Sequence, residues 1–164
     1  MIIKGNADGS SISEISINKN VTLTEDTTYN ITLDNVTRSS GQWKGAFSIY
    51  NNTSGKTLTV YITLVGENKS FAGNHGGIKL TGASGANINV VFRTESSGSL
   101  EFDAQYSNIN DLQIENVTVN FSIESGTTFE SGTSDGTTYS DYNSFFNAAK
   151  NSTSGSKFSL STTS

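Results

Sequence analysis

A block of alternating apolar residues occurs three times in the middle of the chain, and this internal repeat limits the folds open to it. The copies begin at Val60, Ile88 and Val117, at spacings of 28 and 29 residues. Each copy reads apolar-x-apolar-x-(Leu/Phe)-x-x-Glu, and Gly- and Ser-rich stretches lie between the copies. Alternation with a period of two predicts strands with one buried and one exposed face. The repeat therefore predicts one structural unit per copy, stacked on the next.

A unit of this length, with a longer strand, a turn and a short strand, fits one coil of a parallel β-solenoid. Hydrophobic residues make up only 33% of the chain, below the roughly 45–50% of a typical globular domain, and a solenoid interior is a narrow column that needs few of them. We predict an all-β fold, a parallel β-helix, with an antiparallel β-sandwich or jelly roll as the alternative. The repeat places six residues in one core column: Ile62, Leu64, Val90, Phe92, Val119 and Phe121.

The two ends of the chain differ from the repeat. We predict a single all-β domain over 1–164, with the repeat core at about 58–130 and a short helix at about 140–150. Ser140 or Asp141 is placed to cap this helix, which the Lys157–Leu160 segment follows. Because an open solenoid end exposes core and unpaired backbone, the sequence predicts that the helix and this segment cover one end. The predicted apolar stripe of the helix is Tyr142, Phe145, Phe146 and Ala149.

Charge and composition argue against several function classes. The net charge is −5 and no cluster of Lys and Arg is present, so we expect no nucleic-acid partner. With no cysteine, disulfides and thiolate sites are impossible. No apolar run is long enough for a membrane span, and we expect no signal peptide at the start of this sequence. The single histidine, His75, and the acids Asp103 and Asp111 form no recognisable catalytic set, so the chain is predicted not to be an enzyme.

Three segments resemble the right-handed parallel β-helix modules of bacterial extracellular surface proteins. They are VTLTEDTTYNITL at 21–33, GENKSFAGNHGGIKL at 66–80 and GSLEF at 98–102. That group includes secreted adhesins and calcium-dependent carbohydrate-binding domains related in fold to polysaccharide lyases. The resemblance implies an extracellular or cell-surface location, with polysaccharide or self-association as the usual interaction. The chain lacks the catalytic Asp/Lys/Arg cluster of the lyases, so the resemblance does not imply cleavage.

Acidic residues end each copy of the repeat. In the alignment above, Glu67, Glu95 and Glu124 stack in one column at the roughly 4.8 Å spacing of neighbouring strands. Like charges at that distance repel, and Ca²⁺ with its oxygen ligands would relieve the repulsion. The column is therefore a candidate calcium site, the alternative being three solvated side chains.

Outward positions of the same alignment form polar rows, Thr59/Asn87/Asn116 and Tyr61/Asn89/Thr118. Hydroxyl and amide groups on a flat sheet, with a tyrosine ring to stack on a sugar, are suited to glycan recognition. An ordinary solvated face with strand-forming residues is the alternative. The predicted glycan-binding residues are Tyr61, Asn87, Asn89, Asn116 and Thr118.

The segment Ser10–Ile17 alternates like a strand and carries one charge. It is predicted either to pair head to tail with the exposed end of another subunit or to form the first coil of its own domain. Taken together, the sequence predicts a non-catalytic structural or adhesive module of a cell-surface assembly that self-associates into filaments by strand addition. A calcium-assisted carbohydrate-binding module is the alternative. The expected partner is the chain itself or a polysaccharide.

Overall fold

The computed structural model describes residues 2–4, 15–34, 46–68, 77–102, 112–134, 137–152 and 158–163. This part of the chain is all-β apart from one helix, α1, which spans Tyr142–Ser152. The strands are β1 Ile2–Lys4, β2 Ile15–Ile17, β3 Thr27–Asp34, β4 Ala46–Asn51, β5 Thr57–Asn68, β6 Gly77–Gly82, β7 Asn87–Phe102, β8 Leu112–Glu115, β9 Thr118–Glu124, β10 Phe129–Ser134, β11 Thr137–Tyr139 and β12 Phe158–Thr163.

Successive strands from β1 to β9 alternate between two sheets. The large sheet has the order β1-β3-β5-β7, after which β7 pairs with both β9 and β10, while β12 pairs with β9 and β11 with β10. The small sheet has the order β2-β4-β6-β8. In the described part of the chain, every ladder is parallel except that of β10 with β11. This pairing differs from the antiparallel ladders of the sandwich alternative.

The register between strands differs from the repeat alignment. Leu58 pairs with Ile88 and Ile88 with Val119, which are 30 and 31 residues apart, not 28 and 29. A shift of two residues along a strand returns every side chain to the same face. For this reason the predicted core is correct although the register was wrong. All six predicted core residues are fully buried: Ile62, Leu64, Val90, Phe92, Val119 and Phe121.

Stacked turns between the two sheets set the observed register. In one turn the Lys56 N–H donates to the Thr53 carbonyl (3.3 Å), and in the next the Ala86 N–H donates to the Ala83 carbonyl (3.1 Å). Gly55 and Gly85 hold φ angles of +78° and +85° in these turns, which glycine adopts without steric penalty. The Gly55 N–H also donates to the Gly85 carbonyl (2.9 Å), so the turns are bonded to each other as the strands are.

Asn51 lies at the end of β4 and is completely buried. Its Nδ2 donates to the carbonyls of Lys56 (3.0 Å) and Asn87 (2.9 Å), and its Oδ1 accepts from the Thr53 N–H (3.1 Å). One side chain therefore satisfies three backbone groups at a corner that carries no regular ladder, and it joins two successive turns. A buried backbone polar group left without such a partner would be destabilising.

The helix begins where the sequence predicts and covers part of the large sheet. The Ser144 N–H donates to Oδ2 of Asp141 (2.9 Å), an N-cap that satisfies one of the free amides of the first turn. Tyr142 and Phe145 are buried, with ring centroids 5.9 and 6.2 Å from that of Phe129 in β10. The side chains of Phe146 and Ala149, and residue Lys157, lie outside the described part. After α1, β12 pairs in parallel with β9.

Replacing Phe92 by alanine is expected to lower the free energy of unfolding by about 3–5 kcal/mol, because the side chain is fully buried and stacks at 6.2 Å on Phe121. Thr118→Ala, at an exposed position on the neighbouring strand β9, should change it by less than about 0.5 kcal/mol. Urea denaturation of both variants makes the comparison. Equal losses would contradict the assignment of faces. Thr63, also at an outward position, is no suitable control because it is only 5% exposed.

Asn51→Asp should destabilise the fold by about 2–4 kcal/mol, because a carboxylate cannot donate to the carbonyls of Lys56 and Asn87. Both carbonyls would then be buried without this hydrogen-bond donor. Asn52→Asp alters the charge equally at the adjacent, exposed position and is expected to be nearly neutral. Chemical denaturation at neutral pH distinguishes them. A tolerated Asn51→Asp would show that the corner is held by other contacts.

Candidate functional site: the outer face of the large sheet

The outward residues of β5, β7 and β9 form a polar surface, here called the outer face. Because successive residues of a strand point to opposite faces, the residues next to the buried Leu58, Ile88 and Val119 point outward. The parallel register places these outward residues in rows across the strands. From one end of the strands to the other, the rows are Thr57/Asn87/Thr118, Thr59/Asn89/Asn120 and Tyr61/Val91/Ser122.

The predicted rows are therefore wrong, because the observed register differs by two residues from the repeat alignment on which they were based. Asn87 and Thr118 share one row, Asn89 lies in the next, and Tyr61 lies in a third beside Val91. Asn116 precedes β9 and has a φ of +68°. It thus takes the left-handed position that Gly55 and Gly85 take in the two preceding turns, a conformation that asparagine tolerates better than most residues. The predicted binding residues lie near one another but not in the predicted arrangement.

Thr59, Asn89 and Asn120 form a polar row across three strands. Nδ2 of Asn89 donates to Oγ1 of Thr59 across the strand boundary at 3.4 Å, and all three residues are half-buried. Adjacent amide and hydroxyl groups present donors and acceptors at the strand spacing. The row offers a repeated hydrogen-bonding pattern to a ligand lying across the strands.

Arg93 organises the neighbouring part of the outer face. Its Nε donates to Oγ1 of Thr63 (2.7 Å), its Nη2 donates to Oδ1 of Asn30 (3.5 Å), and its Cζ lies 4.9 Å from the ring centroid of Tyr61. Nη1 lies 3.9 Å from Oε1 of Glu124. One guanidinium thus connects β3, β5, β7 and β9 and covers one side of the Tyr61 ring. The sequence interpretation missed this role, although a lone arginine among Thr, Asn and Ser positions was a signal for it.

The predicted column of glutamates is not formed. Glu95 pairs with Val65, whereas Glu67 pairs with Ser99 because the register shifts between Val65 and Glu67. Glu124 instead lies close to Arg93. Two features separate these acids, the two-residue shift and this irregularity in the β5–β7 ladder. The side chain of Glu67 is outside the described part, and among the residues described no three or more His, Cys, Asp or Glu side chains are grouped for a metal ion.

A groove of about 380 Å³ lies at the β2–β3 end of the core. Ile17, Tyr29 and Ile31 form its apolar wall, and Val21, at 40% exposure, lies at its side. The Tyr29 hydroxyl donates to Oδ1 of Asn18 (2.9 Å), which fixes the ring at this wall. The groove was not predicted, since its wall is made of residues that read in sequence as ordinary core positions.

The other residues singled out in the sequence either pair within the chain or lie outside the described part. Ile15–Ile17 pairs with β4 of the same chain, as in the alternative in which this segment begins its own domain, and residues 10–14 lie outside the described part. His75, Asp103 and Asp111 are also outside it. Burial raises the pKa of the Tyr142 phenol above its usual range, which keeps this hydroxyl protonated.

Scans against protein-family models, curated proteins and solved structures gave no match to this chain. Within the described ranges, no helix has both the length and the apolar character needed to span a membrane.

Arg93→Met should lower the free energy of unfolding by about 1–3 kcal/mol, because it removes a charged hydrogen bond to Thr63 and the contact with the Tyr61 ring. Glu124→Gln should have a much smaller effect, because this ion pair is long and both side chains are partly exposed. Thermal unfolding of the two variants tests this ranking. A larger loss for Glu124→Gln would show that the ion pair, and not the cross-strand contacts, holds the outer face.

Proposed function

We propose that the chain is a parallel β-solenoid that acts as a non-catalytic structural or adhesive module of an extracellular, cell-surface assembly and self-associates by strand addition. The observation that carries this proposal is the stacking of successive units, each with one strand in the small sheet and one in the large sheet. We call such a unit a rung, and the turns within successive rungs are stacked as well. Such an architecture needs no ligand to form and leaves strand edges at both ends of the stack. Those edges are the chemical basis of the proposed function.

The two ends are compatible with head-to-tail contact. In the small sheet the terminal strands are β2 and β8, and in the large sheet β1 and β12 lie at opposite ends of the parallel path. Because these strands share one direction, a second copy stacked on the first would continue the same ladders. A contact between two different surfaces does not close on itself, so it produces an open filament.

The lateral surface supports a role in assembly over one in chemistry. Its central rows hold Thr, Asn and Ser side chains, and its arginine is already engaged with neighbouring strands. The resemblance to surface-protein β-helix modules agrees with an extracellular setting. In this proposal Ile15–Ile17 keeps its pairing with β4 of its own chain, and only the opposite edge of this strand faces another copy.

We expect the purified chain to form end-to-end oligomers whose length grows with concentration, measured by sedimentation velocity and electron microscopy. Ser16→Lys, which places a charge on β2 at the open side of the small sheet, should reduce their length. Ser125→Lys adds the same charge at an exposed turn and should leave it unchanged. A chain that stays monomeric at high concentration would contradict the assembly role.

A second candidate is carbohydrate binding by the outer face, favoured by the Thr59/Asn89/Asn120 row beside the half-buried Tyr61 ring. A glycan array should then give a ligand whose binding is weakened by Asn89→Ala and not by Asn52→Ala, an exposed asparagine of a turn. Loss of binding on chelation would support assistance by Ca²⁺. An array without binding would remove this candidate.

A further inference from the structure

Among the described residues, β1 covers only part of the edge of β3, and the groove lies beside the rest. β1 pairs with β3 through Thr32, Leu33 and Asp34, whereas β3 begins five residues earlier, at Thr27. The apolar wall of the groove contains Tyr29 and Ile31 from this earlier part of β3. Both residues occupy interior columns of the large sheet, since Tyr29 pairs with Val60 and Ile31 with Ile62.

β12, at the other end of the stack, occupies the matching columns. Phe158, Leu160 and Thr162 pair with Val119, Phe121 and Ile123 of β9. Followed back through β7 and β5, these positions correspond to Thr27, Tyr29 and Ile31 of β3. β12 therefore extends over the columns of Thr27 to Thr32, and β1 over those of Thr32 to Asp34. Together the two strands cover the columns of one rung, and they overlap only in the column of Thr32.

Within one molecule β12 and the groove are too far apart to meet. Four strand spacings separate β12 from β3 through β9, β7 and β5, which amounts to about 19 Å. All these strands are parallel, so β12 of a second copy has the direction that β3 requires. Neither β12 nor the Thr27–Ile31 segment contains a charged residue that would oppose pairing.

We propose that β12 of one copy adds in parallel to the Thr27–Ile31 part of β3 in the next copy, beside β1, with Leu160 in the column of Tyr29. The inference rests on the proposed self-association and names the two segments that form its contact. The merged rung would complete the large sheet and fill the groove against Ile17, Tyr29 and Ile31. The interaction is strand addition with interior positions at alternate residues, the mode in which backbone bonds give affinity and side-chain pockets give register.

The chain has no cysteine, so single introduced cysteines can report the contact. In the proposed register Ser159 lies beside Thr28, an exposed residue of β3. Thr28→Cys and Ser159→Cys proteins, mixed and oxidised, should give a mixed disulfide dimer. Ser144→Cys, exposed on the helix, replaces Thr28→Cys in the control mixture and should give none above background.

Deletion of 158–164 provides the second arm. The shortened chain should lose the oligomers but still bind a synthetic peptide of residues 157–164, and a scrambled peptide should not bind. Oligomers that persist after the deletion of 158–164, or full-length cysteine variants that form oligomers without the Thr28–Ser159 crosslink, would overturn this contact and leave the assembly function standing. A full-length chain that neither assembles nor crosslinks would overturn both.

Discussion

Parallel backbone pairing, repeated from rung to rung through bonded turns, is the interaction on which the other features depend. A parallel ladder cannot be closed by a tight hairpin, so the chain must leave the sheet and return for every strand. Here it does so through the small sheet and short turns. Asn51 makes this possible at one corner, because its amide bonds replace ladder bonds that the turning backbone gives up.

The outer face follows from that ladder. Because the strands are in parallel register, residues far apart in sequence become neighbours at the strand spacing, and Arg93 contacts partners on three other strands. The same geometry separates the acids that were aligned in sequence. Glu124 lies near a guanidinium and not beside Glu95, so the charge on this face is balanced locally. The outer face is consequently a polar surface on which Arg93 links neighbouring strands.

In the described part, each parallel sheet ends in strands that pair with a neighbour on one side. The first and last strands of a stack of parallel strands each have one edge without a neighbouring strand. Such edges are usually covered by another segment or paired with another chain. The helix, capped by Asp141 and packed through Phe145 against Phe129, covers the β10 region. The groove beside β1 and the far edge of β12 are the places where the proposed self-association acts.

The sequence by itself determined the all-β character, the inward and outward faces, and the capped helix near the C-terminal end. Alternation is a local property, so it identifies Val90 and Phe92 as core without knowledge of their neighbours. Only the tertiary structure decided the register, because a pattern of period two is unchanged by a shift of two residues. The left-handed turn residues Gly55, Gly85 and Asn116, spaced by 30 and 31 residues, carried that information in the sequence. Their role depends on hydrogen bonds between successive turns, which exist only after the rungs have stacked.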